Sequence, residues 1–282
     1  MKRDTRKGTA LALLASAQWG ATGVWVALLR DLPTGTTLVF RFLTATLLLT
    51  ALLALARGFR RPTRSALEGG VLLAAYYVLA TVAFYLSDVV TVSLLVATSP
   101  FFVMLLRVLR REGLRGREVL GGLLAFAGVT VVVLLGDGGD QAGNRIGDLC
   151  GLGAALVMAL YSRAGDRLRG QGWNVVWIAC ALGLLVSVPF ADPVAAVPDG
   201  RQWLLFLGLA AFSTLAPGYL YPLACQHISA TSATVVRLST PFFTALFALL
   251  VLGSALGVQH LLSAPLVLLG VYLTLPRAAE TP

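Results

Sequence analysis

Two arginines inside long apolar stretches are the residues of this sequence best suited to chemistry. Arg237 lies four residues before Pro241, so the two share a helical face, and Arg41 lies inside an earlier stretch. Burying an arginine at the centre of a membrane costs about 2.5–3.5 kcal/mol, so such a residue is a candidate for function. Arg237 could bind an anionic group such as a carboxylate, unless its side chain extends to a nearby surface. Arg41 could bind a substrate or form a hydrogen bond between helices.

Two prolines repeat one local pattern in different parts of the chain. Pro100 follows Thr98-Ser99, Pro241 follows Ser239-Thr240, and two phenylalanines come after each proline. A proline inside a helix removes a backbone donor and bends the helix, and the preceding hydroxyls can satisfy the freed carbonyls. The pattern predicts a pair of mid-helix kinks that line one cavity, although membrane helices also tolerate proline without any function.

Aromatic residues supply further candidates for a binding site. Trp19 and Tyr161 occupy equivalent positions in two apolar stretches, about ten or more residues from the start of each, which is too deep for the aromatic belt of a membrane surface. They are predicted to form opposite walls of a cavity. Tyr77 and Tyr219 are weaker candidates for its lining.

Groups that could carry protons or hold a metal are scarce. No Asp or Glu lies in the middle of an apolar stretch. Asp88 and His227 lie at the ends of apolar stretches, on opposite predicted sides of a membrane, so they cannot pair with each other. The ordinary polarity of loops explains these two residues more simply than a role in coupling transport to protons does. The three cysteines and two histidines share no metal-ligand spacing, so we expect no metal and no cofactor.

Composition and patterning predict an all-α, polytopic membrane protein. Of the 282 residues, 57% are hydrophobic and 12% are charged, with a mean hydropathy of +0.83, whereas charged residues make up about a quarter of a soluble chain. The apolar blocks have the length of about 20 residues that a membrane helix requires, and alternation at period 2 is absent. Ten transmembrane helices are predicted at 9–29, 34–56, 67–86, 89–109, 117–135, 147–164, 174–191, 203–223, 230–252 and 259–276.

The positions of the basic residues predict the orientation. Of the 22 Lys and Arg residues, 17 fall at the N-terminus, after alternate predicted helices or at the C-terminus, all on one side of the membrane. Basic residues collect on the cytoplasmic side, so both termini are predicted to be cytoplasmic, in the plasma (bacterial inner) membrane. The net charge of +9 therefore reflects topology, and no nucleic acid is expected as a partner.

Short segments that recur at a nearly constant offset indicate that the chain contains two homologous halves. Residues 97–102 recur at 238–243 and Gly128-Val129 recurs at Gly270-Val271, at offsets of 141 and 142 residues. The predicted parts are a cytoplasmic N-terminus (1–8), a first repeat (9–136), an external linker (137–146), a second repeat (147–276) and a cytoplasmic C-terminus (277–282). Each repeat has five helices, an odd number, so the second repeat must be inverted relative to the first.

On these features the chain resembles the drug/metabolite transporter superfamily and, within it, the EamA-type ten-helix transporters. In this family an acidic residue often follows the fourth helix of each repeat. Glu112 fills that place in the first repeat, but Gly253-Ser254 stands there in the second. The resemblance covers essentially the whole chain and rests on Gln18-Trp19-Gly20, Arg41-Phe42, Ala97-Thr98-Ser99-Pro100-Phe101, Arg111-Glu112-Gly113-Leu114, Gly121-Gly122, Gly128-Val129, Ala159-Leu160-Tyr161 and Thr240-Pro241-Phe242.

The resemblance implies a secondary transporter that exports or imports a small metabolite by alternating access, and export of an amino acid or a related compound is the expected case. Its expected partners are that small molecule and the lipid bilayer, and it could be a monomer or a homodimer. A transporter of lipid headgroups or drug-like compounds is the alternative within the superfamily. A membrane enzyme would need a nucleophile with a base or a metal cluster, and a channel would need a filter motif. The sequence shows neither pattern, so both classes are less expected than a transporter. Without a buried acid, uniport or exchange is simpler than proton-linked transport.

Overall fold

The protein is all-helical throughout the part that its computed structural model describes, which is residues 5–56, 58, 61–109, 111, 116–135, 142–168, 170–192, 197–228, 236–254 and 257–274. No β-strand occurs among these residues, so the predicted all-α class is confirmed for them. The helices are α1 Thr5–Gly20, α2 Thr22–Ala27, α3 Thr34–Leu55, α4 Arg64–Leu86, α5 Val89–Ala97, α6 Ser99–Leu109, α7 Gly116–Leu135, α8 Ala142–Ala164, α9 Gly172–Ser187, α10 Gly200–Ala210, α11 Ala216–His227, α12 Thr240–Leu252 and α13 Val258–Thr274.

Seven helical segments in the described residues are long and apolar enough to cross a membrane. They are Thr5–Ala27, Thr34–Leu55, Arg64–Leu86, Val89–Leu109, Arg145–Ser162, Gly172–Phe190 and Gly200–Ala224. Three shorter apolar helices are Val119–Gly128, Thr240–Leu252 and Val258–Gly270. Every one of the ten predicted spans therefore contains helix, while the number of crossings and the orientation of the termini stay predictions.

The twin Ser/Thr-Pro segments interrupt their helices in the same way. α5 ends at Ala97, α6 begins directly after Thr98, and α12 begins directly after Ser239. The Thr98 hydroxyl donates to the carbonyl of Leu95 at 2.6 Å, and the Ser239 hydroxyl donates to the carbonyl of Val236 at 2.7 Å. Each hydroxyl thus bonds a carbonyl of the preceding turn, but not the predicted one, since the carbonyls that the prolines leave without a donor are those of Val96 and Arg237.

Pro100 and Pro241 lie in the first turn of a new helix rather than in the middle of a continuous one. The missing N–H is harmless there, because donors in the first turn have no acceptor within the helix. The predicted mid-helix kink is therefore replaced by a short break just before each proline. Both prolines are buried.

The repeated glycines Gly128 and Gly270 lie at a tight contact between α7 and α13. A Cβ added to Gly128 would lie 2.8 Å from the backbone nitrogen of Val267, and a Cβ added to Gly270 would clash with the backbone nitrogen of Ala125. The two contacts are reciprocal, since 125 plus 142 is 267 and 128 plus 142 is 270. Small residues at these positions let the two backbones approach closely, as in other membrane-helix interfaces.

We expect the change Gly270→Ala to destabilise this interface. The new methyl group would lie 2.6 Å from the carbonyl oxygen of Gly121, a backbone atom that cannot rotate away. Overpacking costs about 1–3 kcal/mol, so the thermal midpoint of the purified protein in detergent should fall. Gly116→Ala on α7 is the control, because its added Cβ meets nothing within 4 Å. Equal midpoints for the two variants would contradict the packing argument.

Candidate functional site

A small cavity lies where the first and second halves of the chain meet. Its volume is about 30 Å³. A space of this size holds about two water molecules, so a larger ligand requires the walls to move apart. Its lining includes Trp19, Arg41 and Tyr77 from the first half and Ser213, Thr240 and Thr244 from the second.

An irregular turn between α10 and α11 brings two hydroxyls to this region. Residues Ala211–Leu215 form a π-helical turn, a feature that is frequent at functional sites. Pro217 lacks the N–H that an α-helix would donate to the carbonyl of Ser213, which favours such an irregularity. Ser213 lines the cavity and Thr214 contacts Arg41. Neither residue is predicted from the sequence, where Pro217 is the available signal.

Arg41 is buried in the cavity wall, with 1% of its surface exposed. Its guanidinium donates to the hydroxyls of Thr81 and Thr214, the latter at 3.3 Å, and lies 5.2 Å from the centre of the Tyr77 ring. Its Nε is buried without a hydrogen-bond partner. Within the described part of the chain, no carboxylate lies within ion-pair distance of Arg41. Arg41 thus makes hydrogen bonds between helices, and its charge has no acidic partner there.

Two further cavity residues carry unpartnered polar atoms. The indole Nε1 of Trp19 and the hydroxyl of Thr240 are both buried and make no hydrogen bond. The Trp19 ring packs against Tyr221, with centroids 5.3 Å apart. Tyr77, in contrast, donates its hydroxyl to the carbonyl of Thr214 at 3.1 Å. Residues of the cavity wall therefore carry polar atoms that make no hydrogen bond within the described part of the chain.

Two of the predicted tyrosines do not line the cavity in this conformation. Tyr161 packs against the hydrophobic core, so the structure does not bring it opposite Trp19. Tyr219 stacks on Trp173, with ring centroids 4.1 Å apart and an angle of 10° between the ring planes. Glu112 lies outside the described residues.

Arg237 connects the two interrupted helices. It is half-buried and donates a hydrogen bond to the hydroxyl of Ser99, at the start of α6. Ser99, Pro100 and Pro241 are buried next to the breaks, and of the twin segments only Thr240 reaches the cavity lining. Arg237 thus bonds a residue of the first half of the chain, outside the cavity lining.

A polar network at one end of the helices joins Asp88 to His260. The Nε2 of His260 lies 3.1 Å from the Asp88 carboxylate and 2.9 Å from the Thr91 hydroxyl. The backbone N–H of Gly257 donates to Nδ1 at 3.2 Å, so Nε2 carries the proton of the neutral ring and donates to Asp88. His260, which the sequence does not single out, is the partner of Asp88. The buried Nδ1 of His227 makes no hydrogen bond with any residue that the structure describes.

Two more polar contacts join the halves of the chain at this end. The Ser87 hydroxyl donates to the Asp148 carboxylate at 2.6 Å, and the Gln202 amide donates to the Asp31 carboxylate at 2.8 Å. With the Asp88–His260 contact, these pairs hold the two halves together. We call this surface the Asp88 face, defined by Asp31, Ser87, Asp88, Asp148, Gln202 and His260.

The folded protein stabilises the ionised form of Asp88. Burial opposes its charge, but hydrogen bonds from His260 and from the backbone N–H of Thr91 outweigh burial and lower its pKa. A lowered pKa means that Asp88 contributes stability above about pH 4 and loses this contribution as the pH falls further. We expect Asp88→Asn to cost about 0.5–1 kcal/mol near neutral pH, and the cost to shrink below about pH 4. Thermal unfolding across this pH range measures the difference.

The matched control separates ionisation from helix capping. Asp88 also caps α5 by accepting the N–H of Thr91 at 2.8 Å, and asparagine can replace that acceptor. Asp88→Ala loses the cap as well, so it should cost about 1 kcal/mol more at every pH. A pH-independent difference between the wild-type protein and the Asn variant would contradict the ionised contact.

The fold and the cavity define the class of the protein, which is a multi-pass helical membrane protein with an interior site walled by both halves of its chain. A model of the EamA-like transporter family matches residues 6–134 and again residues 145–275. The chain belongs to the EamA-like transporter family, and it is therefore a membrane transporter of the drug/metabolite transporter superfamily.

Relatives of similar length support this assignment. An uncharacterized transporter of Archaeoglobus fulgidus is 28% identical over 282 residues, which cover 94% of this chain and 96% of that protein. An uncharacterized protein of Pseudomonas aeruginosa is 30% identical over 272 residues, which cover 95% of this chain and 93% of that protein. A protein of known crystal structure shares the fold, with a TM-score of 0.67 at 20% identity over 94% of this chain and 95% of its own.

Proposed function

We propose that this transporter exports a small metabolite, an amino acid or a related compound, across the inner membrane of a bacterium. In this proposal both termini are cytoplasmic and the Asp88 face is external. Two inverted five-helix repeats, 9–136 and 147–276, alternate the access of the central cavity between the two sides of the membrane.

The observation that carries the proposal is the shared wall of the cavity. Trp19 and Arg41 come from the first half of the chain, while Ser213 and Thr240 come from the second. When one half rocks against the other, a site with such a wall changes the side to which it opens. The two separate matches of the family model, at 6–134 and 145–275, support the division into repeats.

Contacts across the halves give the rocking motion a defined end state. Arg41 bonds Thr81 in its own half and Thr214 in the other, and the Asp88 face adds three more polar contacts between the halves. Each of these contacts is a hydrogen bond or an ion pair, which can break and re-form without disturbing the packing inside either half. They are therefore suited to hold one access state reversibly.

Counterflow in proteoliposomes tests the proposal. Vesicles that contain the purified protein are loaded with an unlabelled amino acid or hydroxy acid, and the labelled compound is added outside. A carrier should accumulate label transiently and saturate with concentration, without need of a pH gradient. Flux without saturation would indicate a channel, and flux no greater than that of protein-free vesicles for every compound would refute the proposal.

A further inference from the structure

Among the residues that the structure describes, the charge of Arg41 has no ionised partner. A buried charge is normally paired, because its removal from water is costly unless an opposite charge or several hydrogen bonds compensate. Arg41 is 1% exposed, and within the described residues its partners are two hydroxyls and the faces of aromatic rings. Its Nε–H points to no acceptor. An anion in the cavity would supply the missing compensation.

A second residue of the cavity wall, Trp19, carries an unpartnered donor. The indole nitrogen of Trp19 can only donate, and it is buried without an acceptor in a side chain that is 8% exposed. Trp19 and Arg41 both line the cavity, so the residues that carry these two N–H groups belong to one site. Two N–H donors together with a positive charge match a carboxylate, whose oxygens only accept hydrogen bonds when ionised.

The rest of the lining offers neutral acceptors and no acid. The hydroxyls of Ser93, Ser213 and Thr244 donate to backbone carbonyls at 2.9, 3.2 and 3.1 Å, so each hydroxyl oxygen can still accept a hydrogen bond. No Asp or Glu is among the described residues that line the cavity. A neutral hydroxyl or amide of a ligand would find acceptors here, whereas an ammonium group would find no carboxylate.

We propose that the substrate is a small organic acid with a net negative charge. Its carboxylate lies between Arg41 and Trp19, and its other polar groups are neutral, as in 2-hydroxy acids, 2-oxo acids or N-acylated amino acids. This inference rests on the proposed function, because it assigns a substrate class to the same cavity. It separates compounds related to amino acids from the free zwitterions, whose ammonium group the cavity leaves without an ionised partner.

Matched pairs of ligands test this assignment on the purified wild-type protein. Lactate is compared with alanine, and 3-phenyllactate with phenylalanine, so that each pair differs only in a hydroxyl against an ammonium group. Dissociation constants come from calorimetry or from ligand-induced thermal stabilisation in a low-salt buffer. We expect the hydroxy acid of at least one pair to bind at least about tenfold more tightly than its amino acid, since a buried charge without a partner is strongly unfavourable.

Two variants identify the residues responsible. Arg41→Gln keeps hydrogen-bond donors but removes the charge, so the preference for the anion over the zwitterion should fall to about twofold or less. Trp19→Phe keeps an aromatic ring against Tyr221 but removes the N–H, so both members of a pair should bind about tenfold more weakly at an unchanged ratio. A merely structural role for Arg41 would leave the ratio of the two dissociation constants unchanged.

The outcomes for the substrate class and for transport are distinct. Equal or tighter binding of the amino acid in both pairs would overturn the anion assignment, and so would binding of none of the four compounds. In either case, counterflow of another compound would leave the proposed transport function intact. Selective binding of the hydroxy acids without counterflow would uphold the site and overturn the proposed transport.

Discussion

Oxidation of a Ser87→Cys/Asp148→Cys variant is expected to stop transport completely, and reduction is expected to restore it. The Ser87 hydroxyl lies 2.6 Å from the Asp148 carboxylate, and a Cβ on the adjacent Gly147 would lie 2.8 Å from that of Ser87, so two thiols here are within reach of each other. A covalent bond would hold the two halves of the chain together at the Asp88 face. Under the proposed alternating access, the transport cycle then cannot be completed, and counterflow before and after oxidation measures the loss.

The controls make a loss of flux specific to the cross-link. Cys150, Cys180 and Cys225 are first replaced by serine, because Cys150 lies only two residues from position 148. The single variants Ser87→Cys and Asp148→Cys receive the same oxidant and should keep their flux. Mass spectrometry gives the cross-linked fraction. Unchanged counterflow in fully cross-linked protein would show that transport does not need the Asp88 face to open.

Local features of the fold follow from local sequence and could be predicted. The twin breaks depend on a hydroxyl residue two positions before a proline, and Thr98 and Ser239 make the same hydrogen bond in both halves. The recurrence of Gly128 at Gly270 is a second local feature, because each glycine allows a close approach of the α7 and α13 backbones. The repeat spacing marks both glycines, although it does not show that each one packs against the helix that carries the other.

The composition of the cavity depends on packing between distant residues, which the repeat pattern does not reveal. Tyr161 matches Trp19 in position, but only Trp19 lines the cavity. The counterpart of Arg41 is Gly183, since 41 plus 142 is 183, and a Cβ there would lie 2.7 Å from the Phe42 ring. The second half thus has a glycine at the position where the first half has its charged side chain. The site is therefore asymmetric, although the two halves match the same family.

Long-range polar partners escape sequence reasoning for a related reason. Asp88 and His260 are 172 residues apart, and no spacing rule links the start of α5 to the start of α13. The π-helical turn at Ala211–Leu215 has only Pro217 as a local signal. Fully buried helices also lack a polar face, so their periodicity does not reveal which side faces the cavity.

The change Arg41→Met is expected to remove transport while leaving the fold about as stable as before. A buried guanidinium loses several kcal/mol of hydration free energy. Against this stand two hydrogen bonds of about 1.5–3 kcal/mol each, of which that to Thr214 is long at 3.3 Å, and a cation–π contact with Tyr77 of about 2 kcal/mol. These contributions nearly cancel. Thermal unfolding in detergent should therefore give a stability within about 1 kcal/mol of the wild type, or higher.

The groups around Arg41 tolerate its removal, which makes the variant a clean test of function. The Thr81 hydroxyl still donates to the Tyr77 carbonyl at 2.6 Å, and the Thr214 hydroxyl still donates to the Leu209 carbonyl at 3.2 Å. Neither hydroxyl is left without a partner, so the large penalty for an orphaned buried group does not arise.

Transport of the proposed anionic substrate by the Arg41→Met variant should fall by about 100-fold or more, because removing one member of a buried charge pair costs about 2–5 kcal/mol. The control is Arg64→Met, whose side chain is 95% exposed and forms an exposed ion pair with Glu68 at 3.8 Å, so neither stability nor flux should change measurably. A midpoint several degrees below the wild type would show that Arg41 serves mainly to hold the helices together. Wild-type counterflow from a folded Arg41→Met protein would exclude Arg41 from the binding of the substrate.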